Sequence, residues 1–195
     1  MSKVNNISNS LAGKLAWAAG ALFAADGVVQ IVHPQNSGSD VVGVAGHLNL
    51  AFFLTGLILI SPMFLVLARY ARPGKAEKAA RIAALGTFVL GVTCVSSLVM
   101  GHDGPWFNAI APLTNAAWLF GSIVLAVSLK RSGRIPTIVA VGLPLTWAAT
   151  IPLDTLGGGL ISGAYFLTIG YLVASDAIER SRAPFAQPAR ACCSS

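Results

Sequence analysis

With 55% hydrophobic and only 10% charged residues among 195, this chain lacks the solvated coat of a soluble domain, in which about 25% of residues are charged. Its mean hydropathy of +0.72 suits a surface that faces hydrocarbon, and its length leaves room for one domain and no separate soluble module. The net charge of +6 would suggest nucleic acid in a soluble protein. In so apolar a chain it reads as membrane topology instead, and nucleic acid is set aside as a partner.

Residues 1–14, with Lys3 and Lys14, read as a cytoplasmic segment ahead of the first apolar stretch, Leu15–Val32. Five more follow: His47–Ala68, Ile82–Gly101, Ala109–Leu129, Pro136–Leu153 and Leu156–Ala174. Each approaches the roughly 20 residues that cross a bilayer as a helix. The pattern predicts an all-α, polytopic six-helix transmembrane bundle over residues 15–176, followed by a disordered cytoplasmic tail over 177–195.

The first stretch carries two features. Ala16, Gly20 and Ala24 recur every four residues, a small-residue face that admits a close helix neighbour, from the same chain or from a partner membrane subunit. Asp26, Gln30 and His33 share one helical face through their i, i+4, i+7 spacing. An ionised carboxylate costs about 2.5–3.5 kcal/mol in hydrocarbon, so Asp26 should meet a partner or a wet cavity. Asp26 and the continuing apolar run also argue against reading this stretch as a cleaved signal peptide.

His47 and Asn49 open the second stretch; His102 and Asp103 close the third, which also holds Cys94 as a small buried hydrophobe. The fifth contains Pro144 and ends at Pro152, and proline at membrane depth needs neighbours to satisfy the freed carbonyl. Asp103-Gly104-Pro105 reads as a turn, and Asp154 or Thr155 as the cap of the last helix. Cys192 and Cys193 near the end form no convincing prenylation box, because the middle positions are not aliphatic.

Charge is sorted along the chain. All 13 Lys and Arg fall before the first stretch, between the second and third, between the fourth and fifth, or after the sixth. The positive-inside rule then places both termini in the cytoplasm of a cell (inner or plasma) membrane, and Asp40, Asp103, Asp154 and all three histidines on the outer side. Trp106 and Trp147 are expected at the outer interface, and Trp17 and Tyr70 at the inner one.

A faint repeat, Asn49-Leu50-Ala51-Phe52, Asn115-Ala116-Ala117-Trp118 and Ser162-Gly163-Ala164-Tyr165, raises the expectation of three related hairpins offering polar groups to one cavity; coincidence in an alanine-rich chain is the alternative. The expected ligand-binding set is Asp26, Gln30, His33, His47, Asn49 and Asn115, for a small-molecule or lipid ligand. No metal or other cofactor is called for; a weaker alternative gathers His33, His47, His102 and Asp103 around a metal, although no two histidines share a tight ligand spacing.

In size, span count and orientation the chain resembles the substrate-capturing subunits of energy-coupling-factor vitamin transporters. That resemblance implies an outward pocket and a first-helix face, here Ala16, Gly20 and Ala24, that docks a partner subunit. Two other classes compete. One is a membrane-embedded enzyme acting on a lipid or isoprenoid, with Asp26, His33, His47 or Asp154 as acid or base. The other is an accessory or immunity-type protein whose work is a protein contact. A rhomboid-type serine site at Ile161-Ser162-Gly163-Ala164 is excluded, because Leu160 replaces the first glycine and no histidine follows Ser162.

Overall fold

Helices apolar on every side suit burial in lipid, and each predicted stretch forms one. In the computed structural model, which describes residues 8–34 and 41–175, they are α1 (Asn9–Val32), α2 (Gly43–Tyr70), α3 (Lys75–Met100), α4 (Phe107–Ser132), α5 (Thr137–Thr150) and α6 (Gly158–Ala174). A 3-10 turn at Asp154–Leu156 precedes α6. Lys3, Asp40 and the predicted tail with Cys192 and Cys193 lie outside the described residues.

Local chemistry sets several boundaries. The Ser8 hydroxyl accepts the Leu11 amide at 3.1 Å and caps the start of α1. Gly133, at φ +64°, ends α4 in a left-handed conformation that a Cβ would strain. Pro136 then stands at the entrance to α5. The expected cap for α6 is corrected: the helix starts after Gly157, three residues beyond Asp154, because the Asp154 carboxylate is turned to another helix.

Four helices, α1 to α4, are long and apolar enough to cross a membrane, with 24, 28, 26 and 26 residues. At 14 and 17 residues, α5 and α6 are apolar but shorter.

Neighbouring helices run antiparallel around a closed circuit. Asn9 at the start of α1 meets Tyr70 at the end of α2, while Gln30 near the end of α1 meets Asn49 near the start of α2. Ser61 and Thr87 join the middles of α2 and α3 at 3.0 Å. Gly86 and Gly121 fix α3 against α4, and α5 meets α6 through Tyr165, whose hydroxyl donates to the Val139 carbonyl at 2.7 Å.

The circuit closes where α6 packs along α1. Gly13, Gly20 and Gly27 of α1 face Gly170, Gly163 and Gly159 of α6 so closely that a Cβ on Gly20 would stand 2.5 Å from the Leu167 nitrogen and 2.8 Å from the Gly163 carbonyl oxygen. Backbones approach this closely only across small residues. The Ala16–Gly20–Ala24 face is therefore covered by α6 of the same chain, and a partner subunit would have to use other surfaces.

Small and large residues divide between inside and outside. The interior holds Ala12, Ala16, Ala19, Ala80, Ala83 and Ala140 around Phe23, Phe64, Trp118 and Phe166. Large apolar side chains such as Val99, Leu113, Phe120 and Ile138 point outward, Ile138 with 82% of its surface exposed. An apolar belt of this extent has hydrocarbon as its natural solvent.

Candidate functional site

The side chains predicted to share a face of α1 meet a second helix and a distant turn. Asp26 is fully buried (0% exposed) and Gln30 nearly so, both on the inward side of α1. From α2, the Asn49 amide donates to Asp26 Oδ1 at 2.5 Å. Gln30 Nε2 donates to Asn49 Oδ1 at 3.2 Å and to Asp154 Oδ2 at 2.8 Å. Asp154 reaches the cluster from the 3-10 turn between α5 and α6. Two carboxylates are thus strung on a chain of two amides.

The chain is incompletely satisfied. Asp26 Oδ2 and Asp154 Oδ1 are buried and have no hydrogen-bond partner among the described residues. Buried polar atoms are paired in the great majority of cases, so an unpaired one calls for an explanation such as strain, a catalytic role, or a bound water or ion. Burial pushes the Asp154 carboxyl up to about 6, and the hydrogen bond from Gln30 pulls partly the other way.

Other predicted site residues separate into two groups. His33 and His47 lie exposed at the same end of the bundle, and the His47 ring is held by the Gly43 carbonyl at 2.8 Å. His102 is likewise held by the Met100 carbonyl at 3.0 Å. Among the described residues no three His, Cys, Asp or Glu side chains come together in a way that could hold a metal ion, so the gathering of His33, His47, His102 and Asp103 does not form. His47 and His102, each held by a carbonyl of its own segment, need not converge.

Asn115 belongs to a separate pair. Its Oδ1 accepts from Trp147 Nε1 at 3.0 Å and its Nδ2 donates to the Ala111 carbonyl at 2.9 Å. Asn115 is thus bonded to Trp147 and not to the Asp26 cluster, and Trp147 is half-buried with its indole N–H turned to α4. Tyr70 is similarly buried and accepts from Asn9 at 3.1 Å. Trp17 and Trp106 remain exposed as expected of anchors.

The repeat does not produce a shared cavity. Asn49 bonds into the Asp26 cluster and Asn115 to Trp147, while Ser162 is buried against Thr150 at 2.7 Å and the Thr146 carbonyl at 3.1 Å. Each position ties its helix to a neighbour, in a different place. Sequence reasoning missed the Thr150–Ser162 and Ser61–Thr87 contacts between helices, because hydroxyls that return a bond to their own preceding turn carry no distinguishing pattern.

No protein family, curated protein or solved structure matches the chain.

Proposed function

We propose that this chain is a six-span protein of the cell membrane, with both termini cytoplasmic, that binds or transports a small molecule at an outward-facing polar site formed by Asp26, Gln30, Asn49 and Asp154. The observation that carries the reading is the pair of bare, buried carboxylate oxygens on Asp26 and Asp154. Among the described residues Ser97, Trp118 and Ser122 also keep a buried polar atom unpaired, but each is a single neutral group; here two acids in one hydrogen-bonded cluster each leave an acceptor unused, at a cost of the order of 1–3 kcal/mol each.

Orientation follows from charge. The described cations Lys14, Arg69, Arg72, Lys75, Lys78, Arg81, Lys130, Arg131 and Arg134 all sit at the end of the bundle where α1, α3 and α5 begin. The four-residue cluster and the three histidines lie toward the other end. Cations concentrate on the cytoplasmic side, so the cluster faces outward.

Six crossings are supported by the antiparallel circuit, which returns the chain to alternate ends at every helix. At 1.5 Å per residue α5 and α6 rise about 21 Å and about 26 Å, short of the ~30 Å hydrocarbon core. The turns between Ile151 and Gly157 extend the pair at the outer end, where the membrane thins or the helices are shielded by their neighbours.

A thermal-shift screen of small metabolites against the purified protein tests the reading. Solutes that stabilise the wild type should lose their effect in Asp26→Asn and Asn49→Ala, with helicity by circular dichroism unchanged. If both variants respond to every hit as the wild type does, the cluster is structural and the reading falls. Conversion of an isoprenoid lipid by the protein alone in detergent would favour the enzyme alternative, with Asp26 as acid or base.

A further inference from the structure

Resting on the site just proposed, we infer that its ligand class is a monovalent cation, an alkali-metal ion or a protonated primary amine, held between Asp26 Oδ2 and Asp154 Oδ1.

Charge balance is the first argument. Asp26 is fully enclosed, and the charged group that acts on it most directly is another acid, Asp154. Among the described residues every Lys and Arg lies at the opposite end. The nearest along α1, Lys14, is twelve residues away, about 18 Å at 1.5 Å per residue. His33 follows Asp26 by seven residues, or about 10 Å along the axis, and is exposed. His47 and His102 have a ring nitrogen engaged by the Gly43 and Met100 carbonyls. Facing the two acids from α2 is Asn49, and from α1 Gln30, both neutral. Two carboxylates in a low-dielectric interior require a positive partner, and among the described residues no lysine or arginine lies at this end of the bundle to supply it.

Donor chemistry selects the class. Two carboxylate oxygens form a hard oxygen set, suited to hard cations and to ammonium N–H donors, and unlike the nitrogen and sulfur sets of zinc or copper. Calcium takes six to eight oxygens and magnesium six in strict geometry. No cluster of three or more acidic, histidine or cysteine ligands is available among the described residues. One positive charge shared by two acids, one of them still able to hold a proton, matches a monovalent ion. The amides of Asn49 and Gln30 hold the far oxygen of each carboxylate, so the bare oxygens are positioned before any ligand arrives.

The test uses the full-length protein in detergent at pH 8, at constant ionic strength. Choline chloride, whose cation has no N–H and is bulky, serves as background. Lithium, sodium and potassium chlorides form one arm and methylammonium chloride the other, separating an inorganic ion from an amine headgroup. The expected result is a saturable rise in Tm of about 2–4 °C over choline in at least one arm. It is lost in Asp26→Asn and in Asp154→Asn and kept in Asp103→Asn. Should the asparagine variants fail to fold, the wild type still decides: protons compete for the same carboxylates, so the rise shrinks between pH 8 and pH 5. No rise in either arm, a rise that persists in Asp26→Asn, or one independent of pH would overturn the inference. A solute whose binding depends on Asp26 but ignores all these cations would overturn it while leaving the small-molecule site intact. A cation effect without any such solute would do the reverse.

Discussion

The side-chain amide of Gln30 donates to Asp154 Oδ2 across 2.8 Å, joining two residues 124 positions apart in the chain. The contact places the α5–α6 turn over the C-terminal end of α1 and gives the buried Asp26 a second acid as neighbour. It also accompanies the absence of an Asp154 cap on α6: the carboxylate is turned to Gln30 on α1, and α6 begins only after Gly157.

That arrangement has a pH signature. The Asp154 carboxyl is raised from its ordinary 3.8 to about 6, chiefly by burial. Below about pH 4 the group is protonated whether folded or unfolded, and the fold bears no penalty from it. As pH rises past 4 the unfolded chain ionises first, so the native state loses stability until about pH 6, and the loss is complete above that. Thermal melts between pH 4 and pH 8 should therefore fall over the lower half of the range, and Asp154→Asn should flatten that fall. A stability that climbs between pH 4 and pH 6, or an unaltered slope in the variant, contradicts the assignment.

The α1–α6 seam leaves no room for larger side chains. Gly20→Leu must place its side chain where α6 already stands, 2.5 Å from the Leu167 nitrogen. Overpacking against flexible side chains costs about 1–3 kcal/mol, and a clash with backbone belongs at or beyond the upper end. Ala21→Leu, one residue on and exposed, adds the same side chain toward lipid and should change stability by less than about 0.5 kcal/mol. Equal melting temperatures for the two variants would show that the helices do not meet through glycine.

The helices themselves were legible because hydrophobic length is a strong signal: all six stretches appear, with boundaries displaced by seven residues or fewer. Three of the four cluster residues stood in the expected binding set: Asp26 and Gln30 share a face through helical spacing alone, and Asn49 is a polar residue near the start of the second stretch. What could not be read was which distant residue completes the cluster. Asp154 and Asn115 are both polar residues toward the same end of an apolar bundle, and only the packing of the helices brings the first to Gln30 and leaves the second with Trp147. The small-residue face posed the same problem, because its spacing announces a close neighbour without saying which helix supplies it.

Asn115 and Trp147 provide the contrasting case of a polar pair that holds helices together. Their 3.0 Å hydrogen bond links α4 to α5 at a distance from the acidic cluster. A double-mutant cycle with Asn115→Ala and Trp147→Phe should give a coupling near 0.6 kcal/mol, within the ~1.7 kcal/mol ceiling for such bonds in membrane proteins. Neither variant should alter the response to cations or solutes. If Asn115→Ala removes that response, the site is larger than four residues.

The shortest helices put the six-crossing topology to its sharpest test. If α5 and α6 both span, Thr155, exposed in the turn between them, faces the same side as Pro105 between α3 and α4. Arg72, between α2 and α3, faces the other side with the cations. Single cysteines at these three positions, in a background lacking Cys94, Cys192 and Cys193, can be tested in intact cells with a membrane-impermeant maleimide. Pro105→Cys and Thr155→Cys should label from outside, and Arg72→Cys only after the membrane is opened. Labelling of Thr155→Cys solely in opened membranes would leave α5 and α6 outside the spanning set. The Asp154 turn would then lie at the cytoplasmic face, and because Gln30 binds that turn directly, the whole acidic cluster would have to be reassigned with it.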